Sequence, residues 1–399
     1  MEWSLKFPVD FRSSQQPVFK ALPPLSLYVH LPWCTKKCPY CDFNSHTFLS
    51  TFPEDQYVQA LLADLEQALP QIWGRRVQSI FIGGGTPSLF SAEALDQLLS
   101  GIRARIRLNE FAEITLEANP GSAETDKFRN FRELGINRLS IGIQSFNGTH
   151  LASLGRIHDA AQAREAVLSA SEIFDNLNLD LMFALPKQTL DEAISDVSLA
   201  VEYKPRHLSF YQLTLEPNTL FFRHPPPLPD DESSFDIEEM IWSKTGTAGF
   251  VHYETSAYAQ SGFECQHNLN YWNYGDYLGI GAGAHSKLSF KNSVVREIRV
   301  KHPQSYMQQA TIQSHIQSRQ ELASEDIAFE FMMNALRLTG GFKTACFSER
   351  TGLPFNFVAH NLDMAEEKGW LIRDLTHVRP TRLGQLFLND LLQLFLPVS

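Results

Sequence analysis

Residues 26–43 read SLYVHLPWCTKKCPYCDF. An apolar, β-rich run ends at Leu31, and three cysteines follow on a short loop at Cys34, Cys38 and Cys41. The run has strand composition, so the spacing C-x3-C-x2-C falls directly after a strand. Thiolates are the ligands that iron–sulfur clusters prefer, and a cuboidal [4Fe–4S] centre takes one ligand per iron. Three cysteines therefore leave one iron open. A zinc site short of one ligand, or cysteines used only for packing, are the rival readings. Thiols must ionise to bind metal, which the flanking Lys36 and Lys37 assist.

Moving outward, strand-like and helix-like segments alternate. The strand candidates are 26–31, SIFIGG (79–84), EITLEA (113–118), RLSIGI (138–143), LNLDLMF (177–183) and HLSFYQLTL (207–215). Between them, 55–69, 91–106 and 159–174 carry apolar residues at helical spacing, with Ser91 and Asp159 as expected N-caps. Such alternation implies a parallel sheet with right-handed crossovers. Six units predict an α/β fold with a partial, open (β/α)6 barrel of TIM type.

In a barrel of parallel strands the strand ends that carry function lie on one face. The cysteine loop follows the first strand and GGGTPS (83–88) the second. Glu117, Gln144 and Asp180 stand at or near the ends of the third, fourth and fifth. Arg156, in LGRIH, completes the set; by itself it reads as a surface ion-pair residue, just as GGGTP alone reads as a turn. Alternation adds to the argument. In 176–183 the apolar residues Leu177, Leu179, Leu181 and Phe183 interleave with Asn176, Asn178 and Asp180, and Glu113, Thr115, Glu117 and Asn119 do the same in the third strand. A lumen lined by such residues is polar and suits a polar guest.

Beyond the sixth strand the pattern changes. HPPPLPDDES (224–233) is a proline-rich loop leading to a helix capped by Asp231, and VHYETSAYA (251–259) reads as one strand. CQHNLNYWNYGDYLGIGAGAHS (265–286) shows no periodicity. From about Ser324 the chain turns helical, and 355–381 reads as a helix and a short hairpin before a last apolar helix at 383–396, which resembles a small winged-helix module. The resulting division is a loose arm at 1–24, a barrel at 25–220, an extension at 221–323 and the C-terminal region at 324–399.

The 399 residues include 43% hydrophobic ones, enough for a sizeable core, and the net charge of −11 disfavours phosphate-rich partners. Residues 341–399 hold six Lys or Arg against six Asp or Glu, so the winged-helix-like module has no electrostatic footprint for nucleic acid. Five cysteines, three of them crowded, argue against a disulfide framework and for a reducing compartment. With no signal-peptide pattern and no long apolar run, a cytoplasmic protein without membrane-spanning segments is expected.

The cysteine spacing, Tyr40 before Cys41, and GGGTP after the second strand resemble the radical S-adenosylmethionine (SAM) superfamily. At a finer level, SLYVHLPWCTKKCPYCDFNSH, IFIGGGTPSL, EITLEANPG, RLSIGIQSF, LGRIH, NLDLMFALP, SFYQLTLEPNT and HNLNYW within 265–286 look like the HemW-type heme chaperones, relatives of the oxygen-independent coproporphyrinogen III oxidases. The resemblance runs from about Leu25 to the C-terminus. It implies a radical SAM barrel whose [4Fe–4S] cluster is held by Cys34, Cys38 and Cys41, with the cofactor's methionine moiety chelating the open iron. Tyr28, Tyr40, Gly84, Gly85, Thr86, Glu117, Gln144, Arg156 and Asp180 match cofactor-contacting positions, some of which serve a second SAM in the oxidases.

The oxidases carry one more cysteine two residues beyond the third; here that place is Phe43. With HNLNYW (267–272), this favours a heme chaperone that passes heme to acceptor proteins; the family resemblance, and no residue here, implies respiratory heme proteins among them. The resemblance offers His267, Tyr271 and Trp272 as heme contacts, since imidazole is an axial ligand and aromatic rings suit a porphyrin face; the bland alternative is that this segment braces a loop. The alternative function is a radical SAM oxidoreductase acting on a porphyrinogen, which would need an electron donor.

Overall fold

The computed structural model describes residues 16–48, 51–121 and 124–397. Six strands run parallel and in sequence order: β1 (Leu25–Leu31), β2 (Arg76–Gly84), β3 (Arg107–Ala118), β4 (Arg138–Gln144), β5 (Asn176–Phe183) and β6 (His207–Gln212). Between them run α1 (Glu54–Ile72), α2 (Ala92–Arg105), α3 (Glu124–Glu133), α4 (Ala160–Ser171) and α5 (Leu190–Glu202). Ser91 and Asp159 cap α2 and α4 as expected, Asp159 within a full capping box. The outward faces of the strands, among them Leu27, Val29, Ile80, Ile82, Leu116, Ile141 and Leu179, bury against helix residues such as Leu61, Leu65, Leu95 and Leu99. Removing each such side chain from water stabilises the fold by about 1.5–3 kcal/mol, so this layer holds the strand ends in place.

The region after β6 departs from its sequence reading at several points. Asp230, not Asp231, caps α6 (Asp231–Thr247), its carboxylate accepting from Ser233 N. Residues 251–259 form a hairpin, not one strand: β7 (Val251–Glu254) turns back into β8 (Ala257–Ala259), which pairs antiparallel with β6. The stretch at 265–286 is also ordered into elements. It holds a helix, α7 (Gln266–Trp272), and β9 (Asp276–Ile280), which pairs parallel with β1 in the register Tyr28↔Gly279. The parallel array thus has seven strands, and the extension belongs to the same sheet. Glycine, asparagine and aromatic residues hid this strand because DYLGI is buried at every position and shows no alternation. Antiparallel β10 (His285–Phe290), β11 (Ser293–Arg299) and β12 (Ile316–Glu321) complete the twelve-stranded sheet on that side.

A second core surrounds α8 (Ser324–Ala335), with Phe331, Phe347, Leu362, Leu371, Val378 and Leu391 packed together under a three-stranded sheet. The expected last helix is two short ones, Arg382–Leu386 and Leu388–Gln393. The arm is not loose where it is described. Phe19 inserts into this second core, Val18 N donates to Gly352 O, and Asp276 N donates to Pro24 O. Residues 16–24 therefore strap the C-terminal module to the sheet; the rest of the arm, 1–15, lies outside the described residues.

Candidate functional site

The carboxyl ends of the parallel strands surround a cavity of about 430 Å³. Cys34, Cys38, Tyr40 and Cys41 line it from the loop after β1, Gly84–Thr86 from the end of β2, and Glu117, Gln144 and Asp180 from β3, β4 and β5. Arg156 enters from the turn after the short helix Gly148–Ser153. These residues span more than a hundred positions of sequence and meet because parallel strands place every carboxyl end on one side.

Local geometry explains each placement. Gly85 passes so close to the cysteine loop that a Cβ there would lie 2.4 Å from Trp33 O, and Gly85 N donates to Leu31 O. A glycine is the residue that permits this backbone approach. Asn44 ties down the far end of the cysteine loop: its Nδ2 donates to Ala282 O (2.9 Å) and Lys301 O (2.8 Å). A register shift interrupts the β4–β5 ladder between Gly142 and Gln144, and Gln144 sits at φ 67°. Non-glycine residues rarely adopt that conformation, and such strain concentrates at binding sites. Gly142 leaves room for the convergence beside it, where a Cβ would meet Asn119 Oδ1 at 2.6 Å and Gln144 Nε2 at 2.9 Å.

The cavity walls carry both charge signs. Glu117 Oε2 accepts from Gly84 N at 3.1 Å. Burial, reinforced by the neighbouring Asp180 charge, pushes the Glu117 carboxyl up to about 7. Burial likewise raises the Asp180 carboxyl, against hydrogen bonds from Ser140 and Asn178. Arg156 Nη2 donates to Asn119 Oδ1 (2.5 Å) and Gly142 O (2.9 Å), and its Nη1 reaches Cys38 Sγ at 3.7 Å. Beneath the cavity the lumen is polar, as the alternation implied. Asp180, Ser140, Asn178, His207 and Tyr253 form one chain of hydrogen bonds toward the barrel floor.

Tyr28 is not a lining residue. It lies in the lumen below, its hydroxyl 2.9 Å from His30 Nδ1. His267, Tyr271 and Trp272 are also outside the cavity, on α7, which closes the opposite end of the barrel. Glu113 accepts from Gln266 N and His267 N at the start of α7. His267 is 3% exposed, with Nδ1 3.0 Å from Ser79 Oγ. Its Nε2 has no hydrogen-bond partner among the described residues, and burial pulls the imidazole down to about 3, so it is neutral. Tyr271 stacks on Tyr277 at 4.2 Å between ring centroids, and Arg337 covers the Trp272 ring.

Asn119 was read from the alternation as lumen-facing; Arg138, Tyr211, Thr214 and Glu216 were not singled out from the sequence. Asn119, Tyr211, Thr214 and Glu216 line the cavity, and Arg138 lies buried in the lumen at 2% exposure. Arg138 and Tyr211 continue the inward alternation of their strands, Arg138-Ser140-Gly142 and His207-Ser209-Tyr211, as Asn119 does after Glu113, Thr115 and Glu117; of these three only Arg138 and Tyr211 were missed. Extending the period-two pattern to its ends would have found them.

Comparison with known proteins adds the following. The model of the Radical SAM superfamily matches residues 28–200, and that of the HemN C-terminal domain matches 322–387. The heme chaperone HemW of Escherichia coli (strain K12) is 48% identical over 377 residues, covering 94% of this chain and 99% of the relative. The heme chaperone HemW of Haemophilus influenzae is 48% identical over 381 residues, covering 94% and 98%. Among solved structures, the coproporphyrinogen III oxidase HemN of Escherichia coli, described as a radical SAM enzyme, superposes with a TM-score of 0.80 at 24% identity, covering 94% of this chain and 90% of that one. That likeness extends the barrel-plus-C-terminal-module architecture over nearly the whole molecule.

Proposed function

Since the chain belongs to the HemW family of heme chaperones within the radical SAM superfamily, we propose that it binds heme and passes it to acceptor proteins. In this reading Cys34, Cys38 and Cys41 hold a [4Fe–4S] cluster, and SAM occupies the adjoining cavity. The observation that carries it is the convergence of three cysteines with Gly84, Gly85, Thr86, Glu117, Gln144, Arg156 and Asp180 around one space.

The residues fit a cluster with one open iron. The remaining cysteines are elsewhere: Cys265 sits at the barrel floor against Glu113, and Cys346 belongs to the C-terminal module. No fourth thiol therefore reaches the loop. When bound, such a cluster supplies a Lewis-acidic iron and a one-electron couple. The protein's own part is to bind and orient the cofactor. Glu117 and Asp180 offer anionic acceptors to cationic or hydroxyl-bearing groups, Arg156 offers a guanidinium to a carboxylate, and Tyr40 an aromatic face.

His267 enters the proposal as the candidate axial ligand of heme, with Tyr271 and Trp272 beside it. Its Nδ1 is engaged and its neutral Nε2 is unpartnered, the arrangement of a ligating imidazole. Its burial requires α7 to move off the barrel floor before a porphyrin reaches it. Titration with heme should give a stoichiometric absorbance shift that His267→Ala weakens; an unchanged shift removes His267 from the role. Acceptors are heme proteins, and no helix among the described residues is long and apolar enough to cross a membrane.

Phe43, 62% exposed at the cavity mouth, stands where the oxidases have a cysteine. The deciding experiment supplies coproporphyrinogen III, SAM and a reductant without oxygen, and in a parallel reaction heme and an apo-acceptor. The chaperone reading expects heme transfer to an apo-acceptor and no protoporphyrinogen. Formation of protoporphyrinogen would overturn it in favour of a radical oxidoreductase, with an electron donor as its partner.

A further inference from the structure

The three cysteine sulfurs meet different surroundings. Cys34 Sγ faces a backbone carbonyl, His46 O, at 3.9 Å. Cys41 Sγ lies 3.7 Å from the Ser45 hydroxyl. Cys38 Sγ faces a guanidinium: Arg156 Nη1 donates to it at 3.7 Å, and the Tyr40 hydroxyl also approaches both Cys38 and Arg156. Among the described residues, only this one of the three sulfurs has a cationic donor within hydrogen-bond reach.

Arg156 is not placed there by chance of rotamer. Its other terminal nitrogen is clamped by Asn119 Oδ1 and Gly142 O, and Asn119 is itself held by donating Nδ2 to Thr86 Oγ1 at 2.9 Å. The turn that carries it leans on the cysteine loop, since a Cβ on Gly155 would lie 2.9 Å from Pro39 Cδ. Arginine does not lose its proton, and its planar fork loses less freedom per bond than a lysine would. The chain Thr86–Asn119–Arg156–Cys38 therefore runs from the glycine strip to one cluster thiolate.

We infer that Arg156 is a positioning residue for the cluster as well as a cavity residue: through its hydrogen bond to Cys38 it raises the reduction potential of the bound cluster before any SAM is present. Adding one electron to the oxidised cluster makes the cluster with its three thiolates more negative by one unit, with no bond made or broken. A fixed cation on a ligand sulfur stabilises that reduced form more than the oxidised one. The inference rests on the cysteines being cluster ligands, and its test separates the two.

Full-length protein, reconstituted without oxygen, is titrated with low-potential dyes and dithionite, followed by visible absorbance and electron paramagnetic resonance, first without SAM and then with it. Arg156→Gln should move the SAM-free midpoint to a more negative value, by about tenfold in the oxidised-to-reduced ratio, or about 59 mV for a one-electron couple. Arg156→Lys, which keeps the charge and loses the fork, should fall between. An arginine that serves only to bind SAM would weaken SAM binding and leave the SAM-free midpoint unchanged, and that result overturns the inference. If Arg156→Gln does not retain its cluster, Asn119→Ala, which frees the fork, is read in the same way: a negative shift supports the inference and an unchanged midpoint overturns it. A wild-type protein that assembles no four-iron cluster overturns the cysteine assignment itself.

Discussion

Glu117 Oε2 accepts a hydrogen bond from Gly84 N at 3.1 Å, so the acidic end of β3 is fastened to the glycine strip that ends β2. The carboxyl is buried, and burial together with the Asp180 charge raises it from 4.5 to about 7. A carboxyl whose folded value lies above its unfolded one contributes stability that is complete below the unfolded value. That contribution is lost as pH rises through the folded one. In the cofactor-free protein the loss therefore falls between about pH 4.5 and 7. Glu117→Gln keeps an acceptor for Gly84 N and removes the ionisation. Urea unfolding should find variant and parent similar at pH 5 and the variant more stable at pH 8, by up to about 3 kcal/mol. Parallel pH profiles for the two would refute it.

Cys38 is the cysteine to remove when testing the cluster. Cys34 is buried at 7% exposure and packs in the core, so its loss mixes folding with binding, whereas Cys38 is half-buried. Reconstituted parent should carry about four iron and four sulfide per chain. Cys38→Ala should lose most of both while keeping its thermal midpoint without metal. Full iron content in that variant would remove Cys38 from the ligand set.

The barrel strands were legible in the sequence because each is flanked by turn residues and alternates or runs apolar at strand length. The cavity set was legible through position alone: Glu117, Gln144 and Asp180 each stand at or near the end of a strand. What remained hidden had physical causes. β9 is buried on both faces, so no alternation marks it. α7 is short and borrows its N-terminal acceptor from Glu113, far away in sequence, so no local cap announces it. Gly142 looked like an ordinary strand residue, although Asn119, Gln144 and Arg156 crowd the space where its side chain would be.

That crowding makes Gly142→Ala informative. The new methyl would lie within 3 Å of Asn119 Oδ1 and Gln144 Nε2, both ends of movable side chains. The fold should survive at a cost of about 1–3 kcal/mol, while the convergence on the cavity opens. SAM affinity of the reconstituted protein, measured by equilibrium dialysis, should fall about tenfold or more, which is about 1.4 kcal/mol. Unchanged affinity would show that Asn119, Gln144 and Arg156 do not act together on the cofactor.

Asp64, on the inner face of α1, supports the site from behind. Its Oδ1 is 3.2 Å from Arg299 Nη2 and 2.9 Å from His315 Nε2, and its Oδ2 accepts from the Tyr306 hydroxyl at 2.8 Å and from Gly281 N at 3.3 Å. The next residue, Ala282, donates its N–H to the Tyr57 hydroxyl and accepts from Asn44, the tether of the cysteine loop. Burial opposes the Asp64 charge, but Arg299, His315 and Tyr306 outweigh it and hold the carboxyl below its ordinary value. A lowered carboxyl stabilises above its unfolded value and loses that contribution as pH falls through the folded one. Asp64→Ala leaves Arg299, buried at 1% exposure, with Glu297 as its one remaining carboxylate partner and takes the acceptor from His315 and Tyr306, which should cost about 3–5 kcal/mol at neutral pH. Pairing it with Arg299→Met should recover part of the loss, because the excess buried positive charge is then gone while Glu297 keeps Arg319. Chemical denaturation of the two single variants and the double variant checks both expectations. Should the double variant be as unstable as the two single losses added together, Asp64 and Arg299 act separately, and the buried knot does not fix the loop that anchors Asn44.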